Sequence, residues 1–164
     1  MVWRSVRAPK FSGAQEGQVL VEVLLILPIF LFLMFMIMEI GFLAFQTILL
    51  HHAAYEAARI ASLTAKSTPS ASCAVPSLDP AKAQQVVAQM FKAPTPAFAS
   101  VQGPIPTLLD PQEGCMNYDV QVEVRRVVPM VFPMTGVVLA DQPGKKARLL
   151  RAIVRMPIER PLFK

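Results

Sequence analysis

Cysteine is scarce in this chain. Cys73 and Cys115 are the two that occur, and their flanks, "SASCAVPS" and "EGCMNYD", hold no second ligand at metal-like spacing. Histidine is equally sparse: His51 and His52 are adjacent, so they point to different sides of a helix and cannot chelate one ion together. The seven glycines form no phosphate-cradling loop, and neither a zinc-protease spacing nor a hydrolase elbow is present. Ser, His and acidic residues occur, but nothing in their spacing brings them together. The expectation is therefore no enzyme, no catalytic residue, no metal and no cofactor. Charge is also thin, at 16% of residues, and it is missing altogether from Val23 to Met38.

What fills that gap is grease. The segment "EGQVLVEVLLILPIFLFLMFMIMEIGFLAF" turns apolar directly after Gly17, and if Glu39 is tolerated the run continues to Leu50. A bilayer core about 30 Å thick needs roughly 20 helical residues, so this segment is long enough to span. A cleaved secretory signal would have an apolar core of only about 7–15 residues followed by small residues. Here the run passes unbroken into "FQTILLHHAAYEAAR", which favours a helix that stays with the protein. Arg4, Arg7 and Lys10 precede the span with only Glu16 against them, which places the N-terminus in the cytoplasm and the remainder outside. A chain of 164 residues leaves room for one modest exported domain. Export would let Cys73 and Cys115 persist as a disulfide, the alternative being two unrelated thiols.

From Gln18 to about Leu63 only Pro28 and Gly41 interrupt helix-forming sequence. After Leu50 small residues recur every four positions, at Ala53, Ala57 and Ala61, with Ala54 and Ala58 beside them. Such a pattern lets another helix approach closely. Two compatible readings follow: a helix projecting from the membrane, or an amphipathic helix covering the following domain. Residues 64–77 read as a loop. Asp79-Pro80 then supplies an N-cap and a first-turn proline. The helix it opens is expected to reach about Lys92, with Val86, Val87, Met90 and Phe91 as its apolar face. Five prolines between 93 and 112 predict an extended connector. Val120, Val122 and Val124 alternate with Gln121, Glu123 and Arg125, the sign of a half-buried strand; "RLLRAIVRMPIER" supplies a second, with a turn at "PGKK" between them. Two strands alone are marginal in water, so the second helix is expected to cover them.

Glu22 and Glu39 stand inside the apolar run, where an ionised carboxylate costs at least about 2.5–3.5 kcal/mol. Glu39 escapes most of that cost if it lies near the outer interface, and Glu22 if it lies near the inner one. The spacing of Glu22 is more informative. Were the chain cut after Gly17, the new amine would belong to Gln18, one helical turn from Glu22. That amine, or the amine of a neighbouring subunit, would compensate the carboxylate.

Gly17 with Glu22 five residues on, Leu27-Pro28 inside the span, Glu39-Ile40-Gly41 near its end and "AAYEAAR" after it resemble the N-terminal region of TadE-like proteins. These are pseudopilins or minor pilins of the tight-adherence (Tad, type IVc) pilus systems of bacteria. The family more often places an aromatic after each glutamate, where this chain has Val23 and Ile40. The resemblance covers residues 17–62. It implies a pilin-like α+β fold: a leader over 1–17, a transmembrane and extended helix over 18–63, and a periplasmic head over 64–164. It implies a prepilin peptidase cutting between Gly17 and Gln18 at the inner membrane. It further implies that Glu22 sets register between subunits, and that Pro28, Glu39, Gly41, Ala53, Ala57 and Ala61 pack the helix. The partners it implies are the peptidase, other pilin and pseudopilin subunits, the inner-membrane assembly platform and membrane lipid.

The C-terminal third is basic, with Arg125, Arg126, Lys145, Lys146, Arg148, Arg151, Arg155, Arg160 and Lys164 outnumbering its acids. The competing reading is an unprocessed membrane anchor whose basic head captures nucleic acid or an envelope polymer. No aromatic stacking pattern interleaves these charges, so a nucleic-acid partner is not expected.

Overall fold

A computed structural model describes residues 13–66, 75–92, 95–109, 115–141 and 146–158. The elements in chain order are α1 (Gly13–Leu63), α2 (Pro80–Met90), β1 (Ala97–Leu109), β2 (Met116–Pro129), α3 (Thr135–Leu139) and β3 (Ala147–Pro157). The fold is α+β: a long apolar N-terminal helix, a short helix and three antiparallel strands in the order β1-β2-β3.

The 51 residues of α1 make a rod about 75 Å long at about 1.5 Å per residue. It runs without interruption through Pro28 and Gly41. Its two halves have different surroundings. From Val19 to Phe30 every side chain is exposed, which suits a helix that is apolar all round. Beyond Leu43 one face is buried: Leu50, Ala53, Ala54, Ala57, Ala58 and Ala61 join the core. Those alanines lie against α2 and the sheet of the same chain. Of the two readings of the alanine spacing, the structure displays the helix that covers the following domain, with α2 as the helix that approaches it. α2 and the sheet cover Ala53, Ala57 and Ala61, which leaves them no surface for a second chain.

Asp79 caps α2 as expected, its Oδ1 accepting from the Ala81 amide at 3.0 Å, with Pro80 opening the first turn. The apolar face differs from the expected one. Ala83 and Val87, one turn apart, are buried and Phe91 continues their line, whereas Met90 faces solvent and Val86 is half-buried. Met90 lies about 60° round the helix from Val87, outside the stripe facing α1 and β1.

β1 is the larger surprise, because much of the expected proline-rich connector pairs as a strand. Two features make this possible. β1 is an edge strand, so a proline's missing N–H can face away from the ladder. In addition, the pairing with β2 slips between Gln102 and Ile105 and again between Pro106 and Leu109, which accommodates Pro104 and Pro106. Gly103 sits at φ +138, where a Cβ would meet the Asp119 carbonyl oxygen at 3.0 Å and Leu78 at 3.1 Å, so only glycine fits.

β2 is central and pairs with β3 in unbroken register from Asp119↔Pro157 to Pro129↔Ala147. Val120, Val122, Val124 and Val128 turn inward, the alternation legible in the sequence. Ala99, Val124 and Ala152 form one row across the sheet, all buried beneath the alanine face of α1. Small residues meeting small residues let the helix backbone lie close to the strands. The covering of the sheet thus comes from α1 as well as α2. α3 was not anticipated, and most of the expected "PGKK" turn lies outside the described residues.

Because that layer is tight, Ala57→Leu should destabilise the head by about 1–3 kcal/mol through overpacking. Tyr55→Leu, on the exposed side of the same helix, should stay within about 0.5 kcal/mol. Urea unfolding of the two variants in detergent micelles measures the difference.

Candidate functional site

Gly17 and Gln18 are helical and exposed, because α1 begins at Gly13, upstream of the expected cut. A Cβ at Gly17 would meet nothing within 4 Å. Glu22 lies one turn further on, also exposed, with no hydrogen bond or ion pair to any described residue. Pro28 and Gly41 are likewise exposed. Among the described residues, no head residue packs on the Gly41 backbone.

Glu39 is different. It is 0% exposed, though it stands in the middle of apolar sequence. The turn after β2 folds back over it. The Val131 amide donates to both carboxyl oxygens, at 3.3 and 3.2 Å, and the Phe132 amide donates to Oε2 at 2.9 Å. The Thr135 hydroxyl lies 3.0 Å from Oε2 and 2.8 Å from the Phe132 carbonyl, and donates to one of them at a time. One turn below, Phe35 stacks on Phe132 with centroids 5.9 Å apart. Glu39 is therefore an anchor for the head, its carboxylate satisfied by donors of the same chain. Its partners lie more than 90 residues away in sequence, where nothing in the local pattern marks them.

Two turns above Glu39, Gln46 accepts from Arg126 Nη1 at 2.6 Å. The same guanidinium donates to Thr95 through Nε and Nη2 and lies 4.5 Å over the Phe91 ring. Its partial burial draws the Arg126 pKa down. α1 is thus held to the β2 end of the head by a carboxylate, an aromatic stack and an arginine fork.

The outer face of the sheet carries the charges. Glu123 is buried beneath Arg125, which donates to Oε1, and Arg151, which reaches Oε1 at 2.5 Å and Oε2 at 3.1 Å. The Arg125 hydrogen bond holds the Glu123 carboxyl below its ordinary value of 4.5, burial opposes that, and Arg151 adds to the lowering. Arg155 pairs with Asp119 at 2.8 Å and Arg148 approaches Asp141 at 3.8 Å. Each described arginine of the basic run is thus engaged within the chain; Lys145, Arg160 and Lys164 lie outside the described residues. His51 and His52 are both exposed. Cys115 is buried and disulfide-bonded, while Cys73, expected as its partner, lies outside the described residues.

Gly17 thus stands near the start of an exposed apolar helix, with Glu22 one turn past Gln18. Residues 17–59 match the family model for TadE-like protein. This segment is TadE-like. The match supports a pilin-like protein associated with a Tad pilus, and the apolar helix supports a single-pass membrane anchor. No curated protein and no solved structure matches the chain significantly. The TadE-like segment contains Gly17, Glu22, Glu39 and most of the alanine face. The groups that Glu39 binds lie beyond it, in the head.

Glu39→Ala should leave buried donors without an acceptor, at about 1–3 kcal/mol for each such group. The head should then unfold at least about 2 kcal/mol more easily, with Glu39→Gln falling between, since its amide offers one acceptor and turns a donor toward donors. Urea midpoints in micelles report both variants. A second test uses pH. Because the folded pKa of Glu123 is lowered, its contribution is fully present above the unfolded value of 4.5 and is lost as pH falls through the folded value. Between about pH 5 and pH 2 the wild-type head should lose more stability than Glu123→Gln, measured as the fall in urea midpoint.

Proposed function

We propose that this chain is a pseudopilin or minor pilin of the bacterial inner membrane. On this reading a prepilin peptidase cuts it between Gly17 and Gln18, and the mature subunit joins or primes a Tad-type pilus. The N-terminus faces the cytoplasm and the head the periplasm. The protein works by assembly and not by catalysis, needing no cofactor; its partners are the peptidase, other pilin subunits and the inner-membrane assembly platform.

The observation that carries this reading is Glu22, exposed and without a partner among the described residues, at the start of a TadE-like apolar helix. Glu39 shows how this chain treats a carboxylate in apolar surroundings when the fold can supply donors. Glu22 has no such donors, and an uncompensated carboxylate opposes burial among apolar helices. A cut at Gly17 would place an ammonium one turn away, on this subunit or on a neighbour displaced by about one turn. Cutting a helical peptide bond requires local unwinding, and glycine lowers that cost by about 1 kcal/mol relative to alanine. Passing from lipid into a bundle of similar helices exchanges one apolar environment for another, so compensation of Glu22 decides which arrangement is favoured.

Gly17→Leu should block the cut, and Glu22→Gln should permit it while impairing assembly. Intact mass of the membrane-extracted protein reads the first, and co-purification with pilus subunits the second. Normal trimming of Gly17→Leu to Gln18 would defeat the peptidase reading. Retention of residues 1–17 in the wild type would favour the unprocessed anchor with a binding head.

A further inference from the structure

With α1 spanning a bilayer, the charged groups that flank its apolar run set the limits of the hydrocarbon. Glu22, exposed and with no hydrogen bond or ion pair among the described residues, would stand at the inner edge, and the Arg126 fork on Gln46 outside the outer edge. Between them, about 20 residues counted from Val23 end near Phe42 and span about 30 Å. Glu39 then lies about 5 Å inside the outer edge and Phe35 about 10 Å inside. The turn that binds Glu39 and stacks on Phe35 must lie at the same depth.

Three further observations fit that depth. First, the segment is apolar and four of its side chains face outward: Val131 is 61% exposed, Met134 70%, Val137 86% and Val138 60%. Second, from Met130 to Pro133 the irregular backbone leaves no amide unpaired. The Met130 amide donates to the Lys146 carbonyl, the Val131 and Phe132 amides donate to Glu39, and Pro133 has no N–H. Unpaired backbone polar groups are costly in a bilayer, and this pairing lowers the cost of placing the turn there. Third, the span is half-buried along one stripe, at Leu31, Phe32, Phe35 and Met36, running up to Glu39, and α1 touches α3.

We propose that Met130–Leu139 is a membrane insertion, with α3 embedded in the outer leaflet and Val131, Met134, Val137 and Val138 in contact with lipid acyl chains. Glu39 is the acceptor that makes the insertion possible. The head is thereby held to the bilayer at a second place besides α1, and Lys146, which is exposed beside Met130, lies at the level of the headgroups. This rests on α1 spanning the membrane.

Depth-dependent quenching tests it on the full chain with Trp3→Phe, which leaves one indole per variant. Val137→Trp, Phe30→Trp and Leu149→Trp are each placed in phosphatidylcholine vesicles brominated on the acyl chain. Phe30 lies on the exposed face of the span and Leu149 on the outer face of the sheet. The expected result is a blue-shifted emission for Val137→Trp, quenched as strongly as Phe30→Trp, with Leu149→Trp unquenched. If Phe30→Trp is quenched and Val137→Trp emits as in water, the insertion is overturned while the span stands. A blue-shifted but unquenched Val137→Trp also overturns it, and assigns the segment to a protein neighbour. If Phe30→Trp itself is unquenched, the span fails and the insertion with it.

Discussion

The carboxylate of Glu39 joins the two halves of this molecule. Well below it, from Val19 to Phe30, α1 is a bare apolar rod; above it, the same helix is the floor of a folded head. A lone glutamate at this place would cost several kcal/mol in hydrocarbon. Two amides and a hydroxyl from the turn after β2 remove that cost and in the same contact fix where β2 ends on α1. Phe132 on Phe35 and Arg126 on Gln46 reinforce the attachment below and above. The sheet cannot slide along the rod without breaking all three.

Sequence patterns revealed the elements governed by local rules. Asp79-Pro80 announced α2, because an N-cap and a first-turn proline act within one turn. The alternating valines announced β2, because a strand with one covered face has a period of two. The apolar run announced α1 and the alanines its close packing. Prolines hid β1, because tolerance of a proline depends on being at a sheet edge, a property of the assembled sheet. Gly103 gave no local warning that Asp119 and Leu78 would approach it. α3 is only five residues long, too short to leave a periodic signature.

The carboxylates were the least legible part of the candidate site. Both stand in apolar sequence, and residue type alone makes them equivalent. What separates them is the distance in sequence to their partners. Glu39 is satisfied by residues 92 to 96 positions away, a pairing created only by the return of β2. Glu22 precedes the part of α1 that the head reaches. The arginines of the outer face teach the same lesson: as composition they read as a basic surface, whereas in the fold Arg125 and Arg151 neutralise a buried Glu123.

That asymmetry bears on how subunits can meet. The alanine face, which by spacing alone invites a neighbouring helix, is fully used inside the chain by α2 and the sheet. The stripe from Phe35 to Gln46 is used by the head's attachment. What α1 leaves open to another molecule is its apolar first half, and the one charged side chain between Gln18 and Met38 is Glu22. Apolar surface against apolar surface has no preferred axial position, since sliding one helix along another exchanges equal contacts. A single charge breaks that degeneracy, because only some displacements bring a counter-charge opposite it. If subunits assemble as proposed, the choice of register between them falls to the end of α1 where Gly17 stands.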